Sequence, residues 1–271
     1  MTKDKIIVSV TTWKKRDEAF VKMIEHFQNQ TMKPDKIILW LSYDEYQGIV
    51  PEHLNECLKK KWIDEIRFVP GNTYAHKRWE VFREHKNDYV ILIDDDLYYP
   101  IDYISELYNN SKQQKCPCCY FSKTENFINM VRSTEKETER CSIKNHLYSG
   151  LCCFPPNTFP IEILSAKNVL LRDKYCPHSD DAWMDVCTWK YNIPVYIINK
   201  WPQNSLKEYH IPDTQEVGTW NTYNSIKCGD TITFVKNIAN SIKALGAQDI
   251  VKKIYPNFYK KKNNKKSIWK E

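Results

Sequence analysis

The stretch Tyr89-Val90-Ile91-Leu92-Ile93-Asp94-Asp95-Asp96 decides how the rest of this 271-residue chain is read. An apolar run ends abruptly in three carboxylates. A short, continuous apolar run is the pattern of a strand buried on both faces, as in parallel sheets. Packing alone does not favour the three acids, because adjacent like charges repel. A divalent cation offsets that repulsion. Mg²⁺ and Mn²⁺ suit oxygen ligands and commonly bridge a few carboxylates to a diphosphate. Alternate residues of an extended segment point the same way, so Asp94 and Asp96 can act together. The competing reading is an acidic loop whose aspartates cap the next helix.

Upstream of this strand the pattern alternates. Lys5–Val10 is apolar and β-branched. Asp17 opens a helical pattern with Phe20, Met23, Ile24 and Phe27 on one face. Lys33-Pro34-Asp35 breaks it, and Lys36–Leu41 reads as a second strand. Pro51 starts a second helix carrying Leu54, Cys57, Leu58 and Trp62. Ile66–Val69 is a third strand, closed by Pro70-Gly71-Asn72, and a third helix runs through Trp79 and Phe82. The series predicts an α/β fold, with a mostly parallel central sheet and helices on both faces. Ligands of such sheets bind at the carboxyl ends of the strands. The expected site therefore lies just after Val10, Leu41 and Ile93.

The second half is less regular. Cys118–Ser122, Phe127–Arg132 and Pro194–Ile198 read as strands, and Thr134–Cys141 as a charged loop. Ile161–Leu171 and Asp181–Tyr191 read as helices. Thr231–Leu245 is amphipathic, with Asp230 as its cap and Phe234, Val235, Ile238, Ala239, Ile242 and Leu245 facing inward. No repeat or linker divides the chain. The expectation is one domain over 1–250, split into halves 1–100 and 101–250, with a basic tail at 251–271.

Composition narrows the function classes. Hydrophobic residues make up 42% and charged residues 27%, ordinary for a globular protein. Glycine is scarce at 6 residues, and neither GxGxxG nor GxxxxGK[ST] occurs. Much of the net charge of +6 sits in the tail, at Lys260, Lys261, Lys262, Lys265, Lys266 and Lys270. The remainder is nearly balanced, which argues against nucleic acid as a partner. The tail reads either as a solvated terminus or, with Tyr255, Phe258, Tyr259 and Trp269, as a contact with an anionic membrane surface. No signal peptide or spanning segment is expected, so the chain reads as cytoplasmic, with peripheral contact at the inner face of the membrane. The ten cysteines read as reduced, mostly buried thiols. Cys116-Pro117-Cys118-Cys119 lacks the second ligand pair that a zinc site needs.

Ser179-Asp180-Asp181-Ala182-Trp183 is the second constellation. One acid at a helix start is explained by capping. A second beside an aromatic wall suits general-base work on a hydroxyl. His178, Arg172 and Lys207 are not singled out by their spacing. Trp183, Trp189, Trp201 and Trp220 fit core packing better than sugar stacking.

Four segments together resemble a known family. They are Val8-Ser9-Val10-Thr11-Thr12-Trp13 with Arg16; His76-Lys77-Arg78-Trp79 ahead of Asp94-Asp95-Asp96-Leu97-Tyr98-Tyr99-Pro100; Gly150-Leu151-Cys152-Cys153-Phe154-Pro155-Pro156; and Ser179–Trp183. In order and spacing they resemble bacterial glycosyltransferases of the GT-A fold, of the glycosyltransferase family 2 type and its polysaccharide-biosynthesis subgroup. The resemblance implies a Rossmann-like nucleotide-diphospho-sugar transferase fold. It implies a nucleotide-sugar donor, UDP-linked, and a glycan or lipid-linked saccharide acceptor. Mn²⁺ or Mg²⁺ is the implied cofactor. Thr11, Thr12 and Arg16 would contact the nucleotide, and Lys77 would lie near the nucleoside or phosphates. Asp44 would contact the base, with Ser42 competing for that place. Asp94 would touch ribose or metal, Asp95 the nucleoside side, and Asp96 the metal. Asp181 would be the base, with Asp180 as rival. His210 would be a late metal ligand, against the reading of a surface or hydrogen-bonded histidine. Cys152 and Cys153 stand where the family has small residues, and the membrane-spanning tail of processive members is absent. Two other readings remain: a sugar-phosphate nucleotidyltransferase, which would usually carry an early Gly-rich loop, and a non-catalytic nucleotide-sugar or carbohydrate-binding protein.

Overall fold

The computed structural model describes residues 3–120, 141–143, 145–198, 209–218 and 233–255. The apolar runs form strands β1 (Ile6–Thr11), β2 (Lys36–Ser42), β3 (Glu65–Val69) and β4 (Tyr89–Ile93). They pair in parallel in the order β3-β2-β1-β4. The sheet continues through β7 (Leu151–Phe154), β5 (Cys118–Cys119), β8 (Val195–Ile197) and β6 (Cys141–Ser142). β7 runs antiparallel to β4 and β5, and β6 antiparallel to β8. The α/β arrangement holds as expected, with a parallel first half and a mixed second half. β1 lies between β2 and β4, so the strand order reverses there and opens a crevice at the carboxyl ends of β1 and β4.

The central strands are buried on both faces, and alternation decides which layer each side chain enters. Ile6, Val8 and Val10 of β1 join Tyr89, Ile91 and Ile93 of β4 in one core. Helix α1 (Asp17–Phe27) packs into it with Phe20, Met23, Ile24 and Phe27. α3 (Glu52–Lys59) adds Leu54 and Cys57, and α4 (Tyr103–Gln114) adds Tyr103, Ile104 and Leu107. A four-residue helix, α2 (Tyr43–Tyr46), follows β2 directly. On the other face Ile7, Val90, Leu92, Cys152 and Phe154 meet a second core. Its cover includes α6 (Asp180–Lys190), α7 (Thr233–Ala244) and α8 (Gln248–Ile254), with Trp183, Trp189, Ile238, Ile242 and Val251. The expected start of the tail at 251 falls inside α8, whose Val251 and Ile254 are buried with Tyr255.

Several expectations are corrected. The third helix is a 3-10 helix over Tyr74–Arg83. At three residues per turn, side chains at i and i+3 eclipse. Trp79 therefore stacks on Phe82, with ring centroids 5.3 Å apart. Both meet Phe154 and Phe159 edge-on. The expected helix 161–171 is two elements, a 3-10 turn (Ile161–Leu164) and α5 (Ala166–Tyr175). They are separated at Ser165, whose extended backbone and hydroxyl cap α5 at Asn168 N. α4 and β7 were not anticipated as elements. Thiols are not all reduced: Cys119 and Cys152 are bonded. They stand directly opposite each other across β5 and β7, on one face of the sheet. The bond joins one member of each adjacent pair, avoiding the poor geometry within a pair. The other described cysteines are unbonded. The expected strand 127–132, most of the loop 134–141, Asp230, Lys207, Trp201, Trp220 and the tail lysines lie outside the described residues. Among the described residues no helix is long and apolar enough to cross a membrane.

Phe154, fully buried within this aromatic group, sets a measurable stake. Phe154→Ala is expected to cost about 3–5 kcal/mol in urea unfolding, through lost burial plus an unfilled cavity. A loss under about 1 kcal/mol would mean that the ring cluster is not a packed core.

Candidate active site

The three aspartates follow β4 at the crevice, and each is held by a different set of partners. Asp94 Oδ1 accepts from Arg78 Nη1 at 2.5 Å. Asp95 Oδ1 accepts from Arg16 Nη1 at 2.9 Å, and its Oδ2 from Thr12 Oγ1 at 2.7 Å. Asp96 Oδ2 lies 3.0 Å from Arg16 Nη2 and 2.5 Å from Gln215 Nε2. Two arginines thus interleave with the acids and offset their repulsion. Burial pushes the Asp96 carboxyl up to about 7; Arg16 pulls it down, while Asp95 and Asp94 add to the rise.

Arg78 is buried on the 3-10 helix, and it joins the two acidic motifs. Besides Asp94, its Nη1 donates to the Ile93 carbonyl at 3.0 Å. Its Nε and Nη2 donate to Asp180 Oδ2 at 2.9 and 2.7 Å, and Trp79 Nε1 donates to the same oxygen at 3.1 Å. Burial opposes the charge of this guanidinium, but Asp180 and Asp94 more than offset it and hold it protonated. Asp180 is therefore anchored inward, at the start of α6. Its neighbour Asp181 is only partly buried, and its Oδ1 accepts from Ser149 N at 2.8 Å. Ser179 caps α6 through Ala182 N. Gly150 follows Ser149 beside Asp94, and a Cβ there would fall 2.1 Å from the Asp94 carboxyl. Only glycine leaves room for that carboxylate.

The segment 209–218 closes the other side. Tyr98 N donates to Tyr209 O and Ile211 N to Asp96 O, laying the segment antiparallel along 96–98. This sets His210 Nδ1 3.9 Å from Asp96 Oδ2 and 2.9 Å from Gln215 Nε2. Two ligands each about 2.1 Å from a shared ion lie at most about 4.2 Å apart, so Asp96 Oδ2 and His210 Nδ1 are near enough to meet one cation once Gln215 Nε2, which is bonded to both, moves aside. Asp94, turned to Arg78, does not complete the group: among the described residues no three His, Cys, Asp or Glu are arranged to hold a metal. Phosphate oxygens and water would have to fill the remaining positions, as is usual for Mg²⁺.

The nucleotide-side residues divide. Thr12 reaches the triplet, whereas Thr11 Oγ1 donates to the Trp40 carbonyl at 2.8 Å and serves the sheet. Asp44 is exposed on α2. Ser42 is spent on capping α2 and donating to the Gly71 carbonyl. Glu45 was missed: its Oε2 is buried without a hydrogen-bond partner. Lys77 is 2% exposed and shows no hydrogen bond among the described residues. Burial pulls its amine down to about 8, against the attraction of Glu45 and Asp95. A buried amine without a donor–acceptor partner, beside the crevice, is suited to an anionic or carbonyl group from outside the chain. Arg78, Gln215, Thr214 and Ser149 were also missed. They act through contacts far apart in sequence, and only the position of Arg78 next to Lys77 offered any signal.

No protein-family model matches the chain, and no curated protein matches it in sequence. Among solved structures, one likeness is to the mannosyltransferase PcManGT from Pyrobaculum calidifontis, in complex with GDP-Man and Mn²⁺. It has a TM-score of 0.48 and 10% identity, over 92% of this chain and 76% of that one. Another is to S. aureus TarS 1-349 in complex with UDP. Its TM-score is 0.42 and its identity 11%, over 73% of this chain and 58% of that one. Likenesses this distant add nothing to the site geometry.

Lys77 separates a binding role from a structural one. Its amine titrates near 8 in the folded chain, against an ordinary 10.5. The unfolded chain then binds more protons between those values, so stability rises as pH climbs from about 8 to 10.5. At pH 7 the buried charge costs about 3 kcal/mol. Lys77→Met should therefore stabilise the ligand-free protein at pH 7, by roughly 1–3 kcal/mol in chemical denaturation. That advantage should vanish above pH 10.5. A variant less stable at pH 7 would make Lys77 a structural cation.

Proposed function

We propose that the protein is a glycosyltransferase of the hexosyl-transferring type. It moves a sugar from a nucleotide-sugar, UDP-linked, to a hydroxyl of a glycan or lipid-linked saccharide. The observation that carries this reading is the joining of two acidic motifs by one arginine. Arg78 bonds both Asp94, of the triplet that includes Asp96, and Asp180, the neighbour of Asp181. The donor half is 1–100 and the acceptor half 101–250, in a single GT-A-type domain.

The chain's own residues divide the work. Buried Lys77 and Glu45 Oε2, which has no hydrogen-bond partner, would face the nucleotide, with Thr12 and Asp95 bordering it. Asp96 and His210 would hold the cation. When bound, Mn²⁺ or Mg²⁺ supplies positive charge to the departing diphosphate. Asp94 faces the donor from the Arg78 side. Asp181 takes the proton of the acceptor hydroxyl, its carboxylate oriented by Ser149 N. Asp180 is the positioning residue, because its Oδ2 is already committed to Arg78 and Trp79. Attack from the Asp181 side inverts the anomeric carbon. The four-segment resemblance supports a role in bacterial surface-polysaccharide synthesis, in the cytoplasm, with the basic tail near the membrane.

Asp181→Asn should bind donor as the parent does and lose transfer by roughly 10²–10⁴-fold. A collapse of donor affinity in that variant would make Asp181 a binding or folding residue. Asp96→Ala should abolish metal-stimulated hydrolysis of the sugar donor, followed as release of nucleoside diphosphate. Pyrophosphate as the product would point to nucleotidyl transfer instead.

A further inference from the structure

Arg16 does not present its fork to an incoming nucleotide. Nη1 is bonded to Asp95 Oδ1, at 2.9 Å, and Nη2 to Asp96 Oδ2, at 3.0 Å. Nε and Nη2 both donate to the Thr214 carbonyl, at 3.2 and 2.9 Å. All three nitrogens are spent on the chain's own oxygens, and the side chain is 12% exposed. Asp96 Oδ2, the oxygen that Arg16 holds, is also the one facing His210 Nδ1. A guanidinium and a divalent ion cannot share that oxygen cheaply, because two cations within a few ångströms repel in a partly dry site.

We propose that Arg16 is an internal counter-ion, which fills the cation position of the ligand-free site and couples metal entry to nucleotide binding. The inference rests on Asp96 and His210 as the metal-holding pair. A nucleoside diphosphate offers the guanidinium a bidentate alternative with more negative charge than one carboxylate. When Arg16 turns to that partner, Asp96 Oδ2 loses its cationic partner and keeps only neutral donors, chiefly the Gln215 amide, which an entering ion displaces. The same turn frees the Thr214 carbonyl, so segment 209–218, which carries His210, registers the exchange.

Gly218 makes the seat of Arg16. A Cβ on Gly218 would lie 2.7 Å from Arg16 Nη2, with Gln215 O at 3.3 Å. Alanine at 218 therefore dislodges the guanidinium without removing its charge from the chain. It supplies a variant independent of deleting Arg16.

The experiment measures Mn²⁺ binding by the paramagnetic signal of the free ion, with and without UDP or GDP. Thermal unfolding of each protein is followed alongside. The parent should bind Mn²⁺ weakly alone and about tenfold more tightly, or better, with a nucleotide. Arg16→Met and Gly218→Ala should each bind Mn²⁺ alone about tenfold more tightly than the parent, with a smaller gain from nucleotide. If Arg16→Met unfolds, Gly218→Ala decides. Mn²⁺ affinity that is unchanged in the variants, or that is already high in the parent without nucleotide, overturns the counter-ion role while leaving the metal pair standing. No Mn²⁺ binding in any protein, with or without nucleotide, overturns the metal assignment and the inference with it.

Discussion

Arg78 is the constraint on which the rest of the site depends. A guanidinium this deep is tolerable only when carboxylates answer it. Here one comes from the end of β4 and one from the start of α6, 102 positions later in the chain than Arg78. The ion cluster therefore joins the parallel half of the sheet to the helices of the second half. It also divides Asp180 from Asp181. The inner acid is pulled towards Arg78 and the indole of Trp79, and the outer one accepts from Ser149 N instead. Two adjacent aspartates acquire different environments because one residue of the 3-10 helix can reach only one of them.

The same logic separates the members of the triplet. As a sequence, Asp94-Asp95-Asp96 is one block of negative charge. In the fold it is three carboxylates facing three ways, to Arg78, to Arg16 with Thr12, and to Arg16 with Gln215. Electrostatic relief is arranged before any ligand arrives. Among the described residues no three His, Cys, Asp or Glu stand ready as a metal group.

Where local patterning determines structure, the sequence was readable. β1 to β4 and α1 are set by apolar period and by breakers such as Lys33-Pro34-Asp35, and the crevice followed from their order. α4 was missed because Tyr103, Ile104 and Leu107 fill only its first half, and the second half, with Asn109, Asn110, Gln113 and Gln114, does not continue the apolar period. β7 was missed because four residues between Gly150 and Pro155 are too few to show a period. The Cys119–Cys152 bond required knowing that β5 lies beside β7, which no spacing reveals. The acids of the site were visible as motifs. The groups that tell them apart were not. Arg78, Ser149, Thr214 and Gln215 gain their meaning from contacts made across the fold.

The 3-10 helix over Tyr74–Arg83 has a consequence for how this chain can vary. With three residues per turn, successive side chains point about 120° apart. Lys77, Arg78 and Trp79 thus address three different neighbours, the crevice, the carboxylates and the aromatic core. Deleting one residue before Lys77 would rotate all three by one place. A lysine would meet the rings and an indole the acids. Substitution is open to this segment at half-exposed Glu80 and exposed Arg83, but a change of length is not. Across related chains its spacing should be kept more strictly than its composition.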